Sequence, residues 1–137
     1  MTVITVTTAE VSKAEMGGVK IRNLIAGVDI TAGQLLHIDA NGKWGVADGN
    51  GVSPANRFRA IALESRKAGQ PLAGLEEGMI YGFDLSGLAF DATVYVSDTA
   101  GSLDTAAGTT SLAVGKVYPV ADVKTIKKVL YVTGIAG

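Results

Sequence analysis

The sequence contains no cysteine, so disulfide bonds and thiolate metal sites are excluded. Charged residues are scarce at 18%, and 12 basic residues are balanced by 13 acidic ones. Because proteins that bind nucleic acid usually carry a basic excess, we expect no nucleic-acid partner. No apolar run approaches the roughly 18 residues of a membrane-spanning helix, and no basic stretch precedes an apolar one near Met1. We therefore expect neither a membrane contact nor a signal peptide.

Residues able to carry out catalysis are also few. The single histidine, His37, lies two positions before Asp39, which places both side chains on one face of an extended strand. A transition-metal site needs three or four ligands, and nothing nearby in the sequence supplies them. There is no glycine-rich phosphate loop and no serine nucleophile motif. We therefore predict a protein that is not an enzyme and has no catalytic residue, metal site, cofactor or small-molecule substrate.

What the sequence does contain is turn residues and β-branched residues. Its 18 glycines separate short apolar stretches, and helix-like periodicity is nearly absent. The pair Asn41-Gly42 is a strong tight-turn signal between two such stretches. We predict an all-β fold, a small barrel or sandwich of short strands, in one domain spanning residues 19–137. Its strands are expected at residues 19–24, 35–39, 43–47, 58–64, 72–75, 79–83, 93–97, 111–120 and 128–133.

The N-terminal stretch has a strong preference for extended backbone. Its residues are Thr2, Val3, Ile4, Thr5, Val6, Thr7 and Thr8. Neither face of such a strand is apolar enough to form a core alone, so its backbone groups need partners in another sheet. We predict that residues 1–18 are an extended arm and connector that pairs with another sheet or a neighbouring subunit and is mobile in the free protein. The alternative is that this segment is the first edge strand of the domain's own barrel.

Three further residues are candidates for an interface. Trp44, the only tryptophan, stands in a glycine-flanked hairpin, where it either fills the core or anchors a partner. Arg57 and Arg59 belong to a modest basic cluster that either contacts an acidic surface or protects a strand edge from aggregation. Together with residues 2–8, these three side chains make up the predicted interface with a partner or a neighbouring subunit.

The order and spacing of the strands and turns resemble those of the phage capsid decoration proteins, also called cement proteins. The resemblance covers most of the chain, from about Val19 onwards. The stretches that carry it are residues 26–36, Asp39 with Gly42, and residues 47–48, 59–64, 68–71, 77–88 and 91–101.

This resemblance implies a β-rich fold, often a small barrel called a β-tulip, with an arm that joins the capsid lattice. It implies a virion protein, made in the host cytoplasm, that binds the major capsid protein on the outer surface of assembled, expanded phage heads. Such proteins stabilise the head against the internal pressure of the genome. The resemblance also implies a homo-oligomer, most often a trimer near local three-fold axes, without catalytic residues.

A second resemblance leads to a different class of protein. Residues 30–36 are also similar to the turn and strand of SAF-type sugar-binding modules and of lipoyl carriers. A lipoyl carrier needs a lysine at the tip of a tight hairpin, and Lys43 follows Gly42 without the acidic and methionine neighbours usual in that family. Carbohydrate binding therefore remains the alternative function, although one tryptophan and four tyrosines offer few stacking surfaces for a sugar.

Overall fold

The structure of the protein is a computed structural model that describes residues 2–13, 19–121 and 125–133. It confirms the predicted all-β class, since these residues form eleven strands and one short 3-10 turn, Thr8–Glu10. No helix among them has the length and hydropathy needed to cross a membrane. In chain order the strands are β1 Val3–Ile4, β2 Ser12–Lys13, β3 Lys20–Ile25, β4 Leu35–Ile38, β5 Trp44–Val46, β6 Ala60–Ala62, β7 Pro71–Tyr81, β8 Thr93–Val96, β9 Leu103–Asp104, β10 Ala113–Ala121 and β11 Ile126–Val132.

The larger half of the fold is a curled antiparallel sheet with the strand order β1-β9-β8-β10-β11-β7. Strand β1 pairs with β9 at one edge of this sheet, and β2 pairs with β7 at the other. Because β1 and β2 belong to one segment, residues 2–13 join the two edges and the sheet curls into a barrel. Val6 contributes to this seam through a bridge to Phe83. The N-terminal segment is thus the strand that closes the main barrel.

This position matches the second of the two alternatives drawn from the sequence for the N-terminal segment. Ile4 is only 6% exposed in the main core, and Val11 packs against that core. The described part of the segment therefore lies along the domain's own sheet instead of projecting from it as an arm. The barrel edges supply the backbone partners that the sequence leaves open. The predicted boundary at residue 18 lies outside the described residues, and ordering of the segment on a capsid stays a prediction.

The smaller half of the fold has the strand order β5-β4-β6-β7-β3. Strand β7 belongs to both halves, because its first part pairs with β6 and β3 and its last part pairs with β11 and β2. A bridge between Ala26 and Trp44 brings the end of β3 beside β5, so this sheet curls as well.

Two hydrophobic cores result, and the central strands separate them. Leu35 packs in the main core, whereas its neighbour Leu36 packs in the smaller one. In β6, Ile61 points to the main core while Ala60 and Ala62 point to the smaller core. Side chains of a strand alternate between its two faces, so a strand buried on both sides must be apolar at every position. This explains why β6 is apolar throughout and why β4 is apolar except at His37, whose ring is hydrogen-bonded to the Val46 carbonyl.

Strand β7 differs from the sequence prediction, which placed two short strands on either side of residues 76–78. In the structure one strand runs without a break from Pro71 to Tyr81. Glu76 is only 8% exposed, and its carboxylate lies 3.1 Å from the guanidinium Nε of Arg22 on the neighbouring strand. This ion pair allows an acidic residue to remain within a buried strand, because the charge is compensated across the sheet.

Candidate interaction site at the seam of the main barrel

The seam of the main barrel is held by backbone hydrogen bonds between the N-terminal segment and the chain that follows β7. The Thr7 N–H donates to the Gly82 carbonyl at 2.8 Å, and the Asp84 N–H donates to the Thr5 carbonyl at 2.8 Å. Beyond Asp84 the two chains diverge, and the loop of residues 84–88 leaves the N-terminal segment. A groove opens at this point of the seam.

The outer edge of β1 faces this groove. On the inner side, the carbonyl of Thr2, the residue before β1, accepts a hydrogen bond from the Thr105 N–H at 3.0 Å. Val3 lies opposite Asp104 of β9. Backbone groups of successive residues point to alternate sides of a strand. The N–H and carbonyl of Val3 therefore point away from β9 and towards the groove, on the side where Thr5 and Thr7 make their seam bonds.

The groove, which we call the seam groove, has a volume of about 560 Å³. The Val3 side chain beside it is 43% exposed. The residues that line the seam groove are Thr2, Val3, Ile4, Thr5, Asp84, Ser86, Gly87, Leu88 and Thr105. An open strand edge next to a groove is the arrangement with which an extended chain from a partner adds a strand to a sheet.

A buried carboxylate fixes the start of β1. Asp104 is only 1% exposed, and its Oδ1 accepts hydrogen bonds from the N–H groups of Thr2 at 3.0 Å and Ala106 at 3.2 Å. Its Oδ2 accepts a hydrogen bond from the hydroxyl of Ser97, which is also buried, at 3.0 Å. With both oxygens engaged, Asp104 holds Thr2 in place and so positions the outer edge of β1.

The loop on the other side of the seam groove is held by Asp84. The Ser86 hydroxyl donates to Asp84 Oδ1 at 2.7 Å, and the Ser86 N–H donates to the same oxygen at 3.2 Å. Both hydrogen bonds lower the pKa of Asp84 below its ordinary value, and the bond from the hydroxyl has the larger effect. Asp84 is thus a carboxylate at neutral pH, and it gives the seam groove a negative charge.

The structure corrects the assignment of Trp44 to the interface. Trp44 has no exposed surface and lies in the smaller core, where its indole N–H donates to the Leu72 carbonyl at 3.0 Å. A side chain enclosed by its own chain cannot anchor a partner, because it has no surface to bury on binding. Trp44 is a core residue, and its single polar atom is satisfied inside the fold.

The two arginines of the predicted interface do not lie beside the N-terminal segment in the fold. Arg57 is exposed and Arg59 is half-buried, with its Nη1 donating to the Phe58 carbonyl at 2.9 Å. Neither lines the seam groove. The site at the seam therefore contains Thr2, Val3, Ile4 and Thr5 of the predicted residues, while Val6 and Thr7 form the closed part of the seam.

His37 does not form part of any metal centre within residues 2–13, 19–121 and 125–133. No group of three or more histidine, aspartate or glutamate side chains in these ranges is arranged to hold a metal ion. His37 is 8% exposed and directs its Nδ1 to the Val46 carbonyl at 3.0 Å. Because a carbonyl only accepts hydrogen bonds, this nitrogen carries the proton in the neutral ring.

Sequence reasoning missed the loop at residues 84–88 and the buried pair Ser97 and Asp104. The loop has a local signal, because an aspartate followed two positions later by serine typically forms a turn closed by its own side chain. The role of Asp104 has no such signal. Its hydrogen bond to Thr2 joins residues that lie 102 positions apart.

Comparisons of the chain with protein-family models, with curated proteins and with solved structures found no match.

Proposed function

We propose that the protein is a structural virion protein that binds the outer surface of an assembled phage capsid and stabilises it. The observation that carries this proposal is the open outer edge of β1 beside the seam groove. Val3 offers one backbone donor and one acceptor there, and Val3 and Leu88 offer apolar surface. The resemblance of the chain to decoration proteins and its all-β fold support the same function.

Strand addition suits a protein that must bind a repeating shell. Main-chain hydrogen bonds give affinity for any extended segment, while the groove selects the side chains that fit. The partner in this proposal is an extended segment of the major capsid protein. A homotrimeric arrangement on the shell follows from the resemblance alone and is part of the proposal.

Carbohydrate binding is not favoured by any feature of the described residues. Sugar-binding surfaces use exposed aromatic rings, and the only tryptophan is fully buried. Among the described aromatic side chains, Phe90 and Tyr81 are the exposed ones, and they line no common groove. A glycan array tests this alternative directly.

Co-sedimentation with expanded phage heads that lack this protein tests the proposal. We expect saturable binding to heads and no binding to DNA in a shift assay or to glycans on an array. A glycan signal without head binding would replace the proposal with the carbohydrate alternative.

A backbone variant tests the role of the β1 edge. Val3→Pro removes the N–H that faces the groove but none of the hydrogen bonds between β1 and β9. We expect its thermal stability to stay close to that of the wild type, while head binding weakens about tenfold or more, as for a binding hot spot. Val3→Ala is the matched control, because it shortens the side chain and keeps the N–H.

A further inference from the structure

A second groove borders the same loop, residues 84–88, as the seam groove. Its volume is about 540 Å³, and it shares Asp84 and Ser86 with the seam groove. We call its surface the Phe90 patch. It is lined by Phe83, Asp84, Leu85, Ser86, Phe90, Ile126, Lys127 and Lys128.

Two large apolar side chains are exposed in the Phe90 patch although they come from different elements. Phe90 is 47% exposed on the loop that precedes β8, and Ile126 is 66% exposed at the start of β11. Single exposed apolar residues are common on protein surfaces, but two that line one groove form a patch. Both carry apolar area that a partner can bury.

The backbone holds Phe90 in its exposed position. The next residue, Asp91, has a φ of 66°, in the left-handed region that residues other than glycine rarely adopt. Its N–H donates to the Val117 carbonyl at 2.7 Å, and the Val117 N–H donates to the Ala92 carbonyl at 3.0 Å. These hydrogen bonds fix the backbone beside Phe90, so less conformational entropy is lost there when a partner binds.

Lys128 determines the chemistry of the partner. Its ammonium group donates to the carbonyls of Ser86 and Leu88 and lies 5.4 Å from the centre of the Phe90 ring. These are neutral acceptors, and a lysine ammonium has three donors. One N–H therefore remains for a further acceptor in this half-buried place. The patch is lined by two lysines, Lys127 and Lys128, and by the one carboxylate of Asp84, so its charge is positive on balance and a carboxylate is the favoured partner.

We infer that the Phe90 patch is a second contact with the capsid, which receives a carboxylate side chain on Lys128 and an adjacent apolar side chain between Phe90 and Ile126. The inference rests on the proposed function, because it takes the capsid surface as the partner. It adds the chemistry of the contact: an acidic residue beside an aliphatic or aromatic one on the shell. The seam groove and the Phe90 patch, which share Asp84 and Ser86, would then bind the same shell side by side.

Co-sedimentation with expanded heads, measured for three single variants, tests this inference. We expect Phe90→Ala, Ile126→Ser and Lys128→Gln each to weaken head binding about tenfold or more, as expected for hot-spot residues. Val52→Ala is the control for lost apolar surface, because Val52 is 82% exposed and lies outside both grooves. Lys67→Gln is the control for a lost charge, since the Lys67 side chain is 81% exposed.

Salt dependence separates the carboxylate contact from a merely structural effect of Lys128 on the loop. Salt screens a half-buried ion pair less than an exposed one but still weakens it, so wild-type binding should weaken moderately as salt rises from 50 mM to 500 mM. Lys128→Gln should show a smaller salt dependence, and Lys128→Arg should retain most of the binding. Circular dichroism of each variant establishes that the fold is kept.

Each outcome bears on the inference. Head binding by all three variants at the wild-type level would overturn it and leave the proposed function standing. A wild-type protein that does not bind heads would overturn both. If Phe90→Ala or Ile126→Ser changes the oligomeric state of the free protein in light scattering, the patch is a contact between copies of this chain, and the inferred capsid contact is wrong.

Discussion

The indole of Trp44 packs directly against Gly74, and its ring carbon Cζ2 would lie only 2.8 Å from a Cβ atom at that position. The methyl group of Ala60 is equally close to the same point, at 2.9 Å. The smaller core therefore has room for one large ring because the facing positions of β6 and β7 carry small residues. This packing gives the first of four predictions.

We expect Gly74→Ala to destabilise the protein by roughly 1–3 kcal/mol, the usual cost of overfilling a packed core. The added methyl group would meet Trp44 and Ala60, and neither can move without disturbing the strands around them. Urea denaturation followed by the fluorescence of the only tryptophan measures the effect. Gly87→Ala is the control, because nothing lies within 4 Å of the added atom. Equal stability of the two variants would contradict this packing.

The two residues of β1 should differ strongly in their effect on stability. Ile4 is 6% exposed in the main core, whereas Val3 is 43% exposed beside the seam groove. We expect Ile4→Ala to cost about 2–4 kcal/mol, in the range for a buried large-to-small substitution, and Val3→Ala to cost less than about 1 kcal/mol. Deletion of residues 1–13 should open the barrel and cause unfolding or aggregation. A truncated protein that melts like the full chain would show that the segment is not part of the core.

Stability should fall as the pH is lowered through the range in which histidine titrates. Burial lowers the pKa of His37 below the ordinary 6.5, against the opposing effects of the Val46 carbonyl and Asp39. The unfolded chain then binds a proton more readily than the folded one, so the contribution of His37 is complete above about pH 6.5 and declines below it. Asp29, Asp39 and Asp84 also have lowered pKa values, but their contribution is lost only below their ordinary 3.8.

Two measurements check the prediction for His37. An NMR titration of the imidazole should give a pKa below 6.5, and a value at or above 6.5 would contradict the argument. In denaturation experiments between pH 7 and pH 5, His37→Gln should remove most of the pH dependence. Its glutamine can still donate to the Val46 carbonyl and does not titrate.

Removal of the buried Asp104 carboxylate should release the start of β1. Asp104→Ala leaves the N–H of Ala106 and the hydroxyl of Ser97 without their acceptor, which we expect to cost about 1–3 kcal/mol. It also leaves the Thr2 N–H with only its longer hydrogen bond to the Thr105 hydroxyl oxygen, at 3.2 Å. Amide hydrogen exchange should show faster exchange in residues 2–5 of this variant. Asp98→Ala is the control, because Asp98 accepts its hydrogen bonds from the exposed Thr109. Unchanged exchange in β1 would contradict the role of Asp104.

A sequence prediction held where the interacting residues are close together in the chain and failed where they are far apart. The turn at Asn41-Gly42 forms where it was expected, because Gly42 has a φ of 77° and the Asp39 carboxylate accepts hydrogen bonds from the N–H groups of Asn41 and Lys43. All of these contacts are local. The break predicted within β7 was wrong, since Glu76 is compensated by Arg22, which lies 54 positions away.

The sequence by itself determined the all-β class and most of the strands, because turn residues and β-branched residues act through the local backbone. Only the tertiary structure decided which of these strands close the barrel and which side chains reach the surface. Residues 2–8 have the same extended preference whether they pair with a neighbour or with their own sheet, and Trp44 has the same chemistry in a core or on an interface. In both cases the choice depends on distant partners, β9 and β7 for the N-terminal segment and Leu72 with Gly74 for Trp44.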